Sequence, residues 1–132
     1  MKAFLKNYRQ APRKVQLVAS LIRGKGVQAA QSQLEFLPKR AALPIKKLLK
    51  SAVDNAEKNF NLKAEDLYIS DIRVDKGIIL KRSMPRAMGS AAPIWKRSSH
   101  VLIVLKEKAQ DQKTKVKATS KKLKSSKAKQ KN

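Results

Sequence analysis

The chain reads as an α+β protein: a small body of three helices against a short antiparallel sheet, one very long protruding β-hairpin, and a disordered basic C-terminal tail. Three observations predict this. Apolar residues recur at helical spacing in three segments before residue 60. The period drops to two from Leu67 onward. Residues 76–106 then hold seven Lys or Arg and no Asp or Glu, around a centre, MPRAMGSAAPIWKR (84–97), with too few large side chains to fold on itself.

Taken in order, residues 3–9 form a short strand. Pro12 stands where a helix begins, since its missing N–H costs nothing in a first turn. Val15, Val18, Leu21 and Ile22 follow at helical spacing, with Arg13, Lys14 and Arg23 towards the other side. Gly24 and Gly26 read as stop residues. A second helix places Val27, Ala30, Leu34 and Leu37 on one stripe, and Phe36 with Leu37 caps the stripe between the second and third helices. The third, from near Pro38 to about Asn59, buries Ala41, Ile45, Leu48, Leu49, Ala52, Val53 and Ala56. Pro44 inside it implies either a kink or a later start.

From Leu67, the residues Tyr68, Ile72 and Val74 alternate with Asp71, Arg73 and Asp75, as in a half-buried strand. His100 to Leu105 supplies the returning strand. The hairpin spans about residues 76–100, with Pro85, Gly89 and Pro93 near its middle. Folded at about residue 88, its arms project about thirteen residues beyond Asp75, roughly 40 Å. A free two-stranded ribbon of that length is marginal in water. The domain is thus residues 1–108, and residues 109–132 are a lysine-rich tail without a core-forming pattern.

Charge separates these parts. Residues 1–34 carry seven basic and no acidic side chains, residues 35–75 eight and seven, and residues 107–132 ten and two, within a net charge of +23. Only the second block is balanced, so the rest repels itself until phosphates or counterions neutralise it. Cysteine is absent and histidine occurs once, which excludes disulfides, zinc knuckles and cysteine nucleophiles. The N-terminus lacks an apolar stretch for a signal, and residues 101–105 are too short an apolar run to span a bilayer. No membrane partner, small-molecule substrate, cofactor or metal is expected. The partner class is a polyanion in a soluble, reducing, nucleic-acid-rich compartment.

Four segments carry a resemblance. YRQAPRKVQLVASLIRGKGVQAA (8–30), PKRAALPIKKLLKSAVDNAEKN (38–59), LYISDIRVDKG (67–77) and LKRSMPRAMGSAAPIWKRSSHVLIVLKEK (80–108) resemble, in unbroken order, the family of the ribosomal protein numbered twenty-two of the bacterial large subunit. The most specific pieces are PRK followed by LIRGK and MPRAxG followed by KRxSH. The resemblance covers about residues 5–108. It implies a body on 23S ribosomal RNA near the outer mouth of the polypeptide exit tunnel, with the hairpin lining part of the tunnel wall. It also implies early binding during subunit assembly, helped by neighbouring large-subunit ribosomal proteins, and a nascent polypeptide as a further neighbour. The location implied is the ribosome, in the cytoplasm of a bacterium or in an organelle matrix or stroma.

Carried over residue by residue, Arg13, Lys14, Arg23 and Lys25 match the family's basic first helix and its exit. Lys81, Arg82, Arg86, Lys96 and Arg97 match basic positions of the hairpin. Met84, Pro85, Arg86, Ala87, Met88, Gly89 and Ser90 form the tunnel-lining tip. Many bacterial relatives are basic at the positions of Met88, Ser90 and Pro93, and this chain is not. That departure implies a tip held by shape and backbone contact more than by charge.

Bland readings stand beside these. The ribbon alone could be a solvated arm and the first helix a hydrated face. Met84 and Met88 read as exposed tip residues instead of core fillers. Trp95 either stacks on an exposed base or packs across the ribbon against an aliphatic partner. Tyr8 and Tyr68 read as body residues. His100 has no nucleophile beside it in a familiar arrangement and reads as structural or RNA-facing. Glu65 and Asp66 sit in a turn. No catalytic site emerges, which sets aside an RNA-processing enzyme. A nucleoid DNA-architectural protein with a β-arm is the alternative function.

Overall fold

The computed structural model describes residues 1–108; the expected tail, 109–132, lies outside the described residues. The elements are β1 (Lys2–Tyr8), α1 (Pro12–Ile22), α2 (Val27–Phe36), α3 (Ala42–Phe60), β2 (Leu67–Pro85) and β3 (Ala91–Glu107). Short 3-10 turns occupy Ala64–Asp66 and Ala87–Gly89. Three helices against a three-stranded antiparallel sheet, with one long hairpin, match the fold class read from the sequence.

Helix α1 starts at Pro12 and buries Val15, Val18, Ala19 and Ile22. That set has the i, i+3, i+4, i+7 spacing of one helix face. Leu21, expected on the stripe, falls outside it and is 49% exposed. Of the two expected stop glycines, only Gly24 adopts a left-handed backbone, at φ 77°. Gly26, at φ −63°, instead caps the start of α2. Between them the chain binds the free edge of β2: the Gly24 N–H donates to the Ile69 carbonyl, and the Ile69 N–H to the Lys25 carbonyl. An edge that would otherwise be open is thereby covered locally.

Helix α2 buries Val27, Ala30 and Leu34, with Leu37 packed partly against the core. Phe36 caps nothing, since it is 84% exposed. All seven residues expected on the third stripe are buried, Ala41 just before α3 and the other six on it. Pro44 is accommodated by a later start, with no break in the helix: Ala42 is the first helical residue. Pro44 therefore sits in the first turn, where backbone donors have no intrahelical partner. The Arg40 carbonyl, just before the helix, accepts the Tyr8 hydroxyl at 3.2 Å.

The sheet order is β1-β3-β2, so β3 is central. Val101, Ile103 and Leu105 of β3 are fully buried under the helices. Their neighbours are Ala3 opposite Ile103 and Leu5 opposite Val101 on β1, with Ile72 and Val74 opposite the same two residues on β2. The expected alternation on β2 needs one correction. A bulge between Ile69 and Asp71 inserts Ser70, so Leu67 and Ile69 face inward before it and Ile72 and Val74 after it. Tyr68 therefore does not share the face of Ile72.

Beyond Ser99, where pairing with β1 ends, β2 and β3 continue alone to the last pair, Pro85 with Ala91. A second bulge lies between Lys76 and Ile79 at the root of this ribbon. There the Ser98 hydroxyl donates to the Ile78 carbonyl at 2.6 Å. Gly77 approaches so closely that a Cβ on it would lie 2.5 Å from Ser98 Oγ and 3.2 Å from the Ser98 carbonyl carbon.

Two outcomes follow for stability. Gly77→Ala should cost about 1–3 kcal/mol by urea unfolding, as overpacking does. Part of that cost should vanish in a Ser98→Ala background, and strict additivity of the two would refute the close approach. For α3, Pro44→Ala should shift stability by less than about 1 kcal/mol, because the position needs no donor. Lys47→Pro, one turn later on an exposed position, should cost about 3 kcal/mol or more.

Candidate nucleic-acid interface

The ribbon's cross-strand register has a regular composition. Ile79 faces Arg97, Leu80 faces Lys96, Lys81 faces Trp95 and Arg82 faces Ile94. Each rung joins one apolar side chain to one cation. Because successive residues of a strand point to opposite faces, Ile79, Lys81, Trp95 and Arg97 share one face and Leu80, Arg82, Ile94 and Lys96 the other. Both faces therefore carry two cations and two large apolar groups. Ile79, Leu80, Ile94 and Trp95 are all between 38% and 50% exposed. A ribbon covered by protein on one side would instead separate apolar from charged residues.

The outer three rungs, Ser83 with Pro93, Met84 with Ala92 and Pro85 with Ala91, carry no charge. The tip closes through the Arg86 N–H donating to the Ser90 carbonyl at 2.8 Å, with the Ser90 hydroxyl donating to the Ala87 carbonyl at 2.9 Å. Met88 and Gly89 both take left-handed conformations, at φ 56° and 68°. Met88 is fully exposed and Met84 half exposed, as expected for tip residues. Arg86 is the single cation of the segment 84–90.

At the root the body meets the ribbon in a groove of about 910 Å³. Lys14 from α1 and Arg82, Lys96 and Arg97 from the ribbon line it, together with Arg9 and Arg40. Among the described residues, no carboxylate lines it. Nothing in the sequence singles out Arg9 and Arg40. They come together because the Tyr8 hydroxyl holds the Arg40 carbonyl, docking the α2–α3 connection beside the end of β1. Proximity between residues so distant in the chain leaves no periodic signal. Arg13 lies in an adjoining recess with Lys76 and shares Arg97 with the main groove.

Trp95 also borders the groove, with the Arg97 guanidinium 5.1 Å from the centre of its ring. Its cross-strand neighbour is Lys81, so no aliphatic partner stands opposite. Lys81 and Arg82 both border a shallow recess with Ser83 and Pro93.

Arg23 and Lys25 are not gathered into this surface. The Arg23 guanidinium donates to the Ile72 carbonyl and lies 3.6 Å from the Asp71 carboxylate, which Arg73 also approaches at 3.4 Å. Lys25 Nζ donates to the Gln33 side-chain carbonyl at 2.7 Å. His100 has a structural role: its Nδ1 accepts the N–H of Asn7, which sits at φ 52°, over 3.1 Å. Its ring stacks on Phe4. That hydrogen bond fixes the irregularity in β1 between Leu5 and Tyr8.

Residues 3–106 match the family model described as ribosomal protein L22p/L17e. Among curated relatives, the large ribosomal subunit protein uL22 of Pediococcus pentosaceus is 52% identical over 107 residues, covering 81% of this chain and 91% of the relative. The uL22 proteins of Lactobacillus delbrueckii subsp. bulgaricus and Clostridium novyi are each 50% identical, over 80% and 82% of this chain and 91% and 97% of the relative. With its helices, sheet and long ribbon in the order described, the chain belongs to the ribosomal protein L22p/L17e family.

Proposed function

We propose that the protein is a structural constituent of a bacterial-type large ribosomal subunit, where it binds 23S ribosomal RNA. Its globular body sits near the mouth of the polypeptide exit tunnel and its ribbon lines the tunnel wall. The observation that carries this reading is the rung composition: both faces of an acid-free ribbon offer paired cations and apolar groups, and among the described residues the four large apolar ones stay 38–50% exposed. RNA supplies phosphates for the first and riboses and base faces for the second. An element with two such faces is suited to lie between two RNA segments and join them. Membership in a ribosomal protein family supports the same assignment and a non-catalytic role.

Mechanistically, the six-cation groove docks first, because the body already holds it in place. The ribbon then orders as its lysines and arginines displace counterions from phosphates of RNA segments distant in sequence. Such early cross-linking accounts for a part in subunit assembly, with neighbouring ribosomal proteins completing the enclosure. Beyond Arg82 and Ile94 the rungs are neutral, and small residues such as Ala91 and Ala92 let the RNA backbone approach closely. Apart from Arg86 the tip is uncharged, and it leaves a smooth surface beside a nascent chain. On this reading Arg13, Lys14, Lys81, Arg82, Arg86, Lys96 and Arg97 touch RNA directly, while Arg23 and Lys25 sit apart from the main surface. A DNA-architectural protein would instead favour duplex DNA, so co-sedimentation with large ribosomal particles at moderate salt discriminates the two.

Replacing Arg82 and Lys96 by Ala should weaken binding to a 23S transcript. It should also flatten the dependence of log K on log salt by about 0.7–0.9 for each phosphate no longer neutralised. Arg23→Ala should lower thermal stability while leaving that slope unchanged; the reverse pattern would count against the division of roles. A photo-crosslinker at Met88 should label a stalled nascent peptide in assembled ribosomes, and its silence would contradict the tunnel placement.

A further inference from the structure

We infer that the groove at the root of the ribbon is a pocket for one unstacked nucleotide of an RNA strand, its base lying on the Trp95–Arg97 stack and its phosphates held by Arg9, Lys14 and Arg40. The inference rests on the RNA-binding reading above and adds a ligand and a platform to it. Binding to a duplex backbone needs only a convex or flat basic surface. This site is concave, and its roughly 910 Å³ falls within the ~300–1,000 Å³ common to small-ligand pockets.

Its walls divide by chemistry. Trp95 is half exposed, and the Arg97 guanidinium is already set over its ring. Aromatic rings and guanidinium planes are the surfaces on which splayed RNA bases stack. Leu80, 39% exposed, also borders the groove, from the ribbon's other face. Around them stand cations from three separate parts of the body: Arg9 after β1, Lys14 on α1 and Arg40 before α3. A phosphodiester on either side of an extruded base has donors available from more than one direction.

Gln10 adds an independent observation. It lines the groove, and among the described residues its side-chain oxygen is buried without any hydrogen-bond donor. An acceptor left unsatisfied is a cost that a ligand N–H relieves, and the edge of an extruded base carries such a group. Among the described residues no carboxylate lines the site, so it has no anion to pair with the cations of a peptide.

Trp95 is the only tryptophan in the chain, so its fluorescence reports on this site alone. Three probes are titrated against the full chain: an uninterrupted RNA duplex, the same duplex with one bulged adenosine, and free adenosine monophosphate. The bulged duplex should quench Trp95 and bind about tenfold tighter than the uninterrupted one, the scale of one stacked base. Trp95→Leu should erase that preference yet keep salt-dependent binding to both duplexes, and Trp95→Phe, measured by competition, should retain it. Equal affinity for the two duplexes without quenching overturns the pocket, as does a Trp95→Leu protein that still prefers the bulge. Quenching by adenosine monophosphate equal to that by the bulged duplex overturns the assignment to an RNA strand. Failure to bind either duplex at moderate salt removes the RNA-binding reading itself, a result distinct from loss of the preference alone.

Discussion

Strand β3 must satisfy two environments along one unbroken backbone. From Ser99 to Val104 it is hydrogen-bonded on both edges and lies beneath α1 and α3, so its inward residues are β-branched or aliphatic. Before Ser98 it has a single partner and, among the described residues, no buried side chain. Every other property of the molecule depends on that change of surroundings. The body can be stabilised by burial of apolar area, whereas the ribbon gains little from burial and cannot hold its shape in water by cross-strand pairs alone. Its geometry is fixed at the root, where a bulge, a close glycine and the Ser98 hydroxyl set the direction in which it leaves the sheet.

Electrostatics then decides what completes the ribbon. Like charges along a thin element repel, and salt screens them only in part. A polyanion removes the repulsion and also covers the half-exposed Ile79, Leu80, Ile94 and Trp95. Arginine and lysine divide the labour. The guanidiniums of Arg97, Arg9 and Arg40 are planar and suited to stacking and forked hydrogen bonds, while Lys14 and Lys96 act as mobile point charges. Arg23 illustrates the opposite outcome, a cation whose hydrogen bonds are directed to its own protein.

Much of this is legible in the residues and some is not. The α3 stripe can be read directly because 3.6-residue periodicity survives any tertiary detail. Pro44 leaves two possibilities open, and the start at Ala42 decides between them by placing it in the first turn, where no donor is needed. Strict alternation puts Tyr68 on the wrong face because a bulge at Ser70 switches the phase of β2, and an inserted residue has no signature in such a pattern. Leu21 and Phe36 look like core residues by type, yet their angular positions put them in solvent. The ribbon's cations are visible as a run without acids. The gathering of Arg9 and Arg40 with Lys14 is invisible, since it depends on how two connections fold back on each other.

The rung pattern also makes the finger a ruler with a parity rule. One extra residue in each arm near Ser98 would carry the tip outward by about 3.3 Å. It would also swap the two surfaces, delivering Arg97 and Trp95 to the side now served by Lys96 and Ile94. Two extra residues in each arm restore the original presentation at the greater length. A finger of this design can therefore be lengthened or shortened without losing its chemistry only in even steps, whatever the space it has to fill.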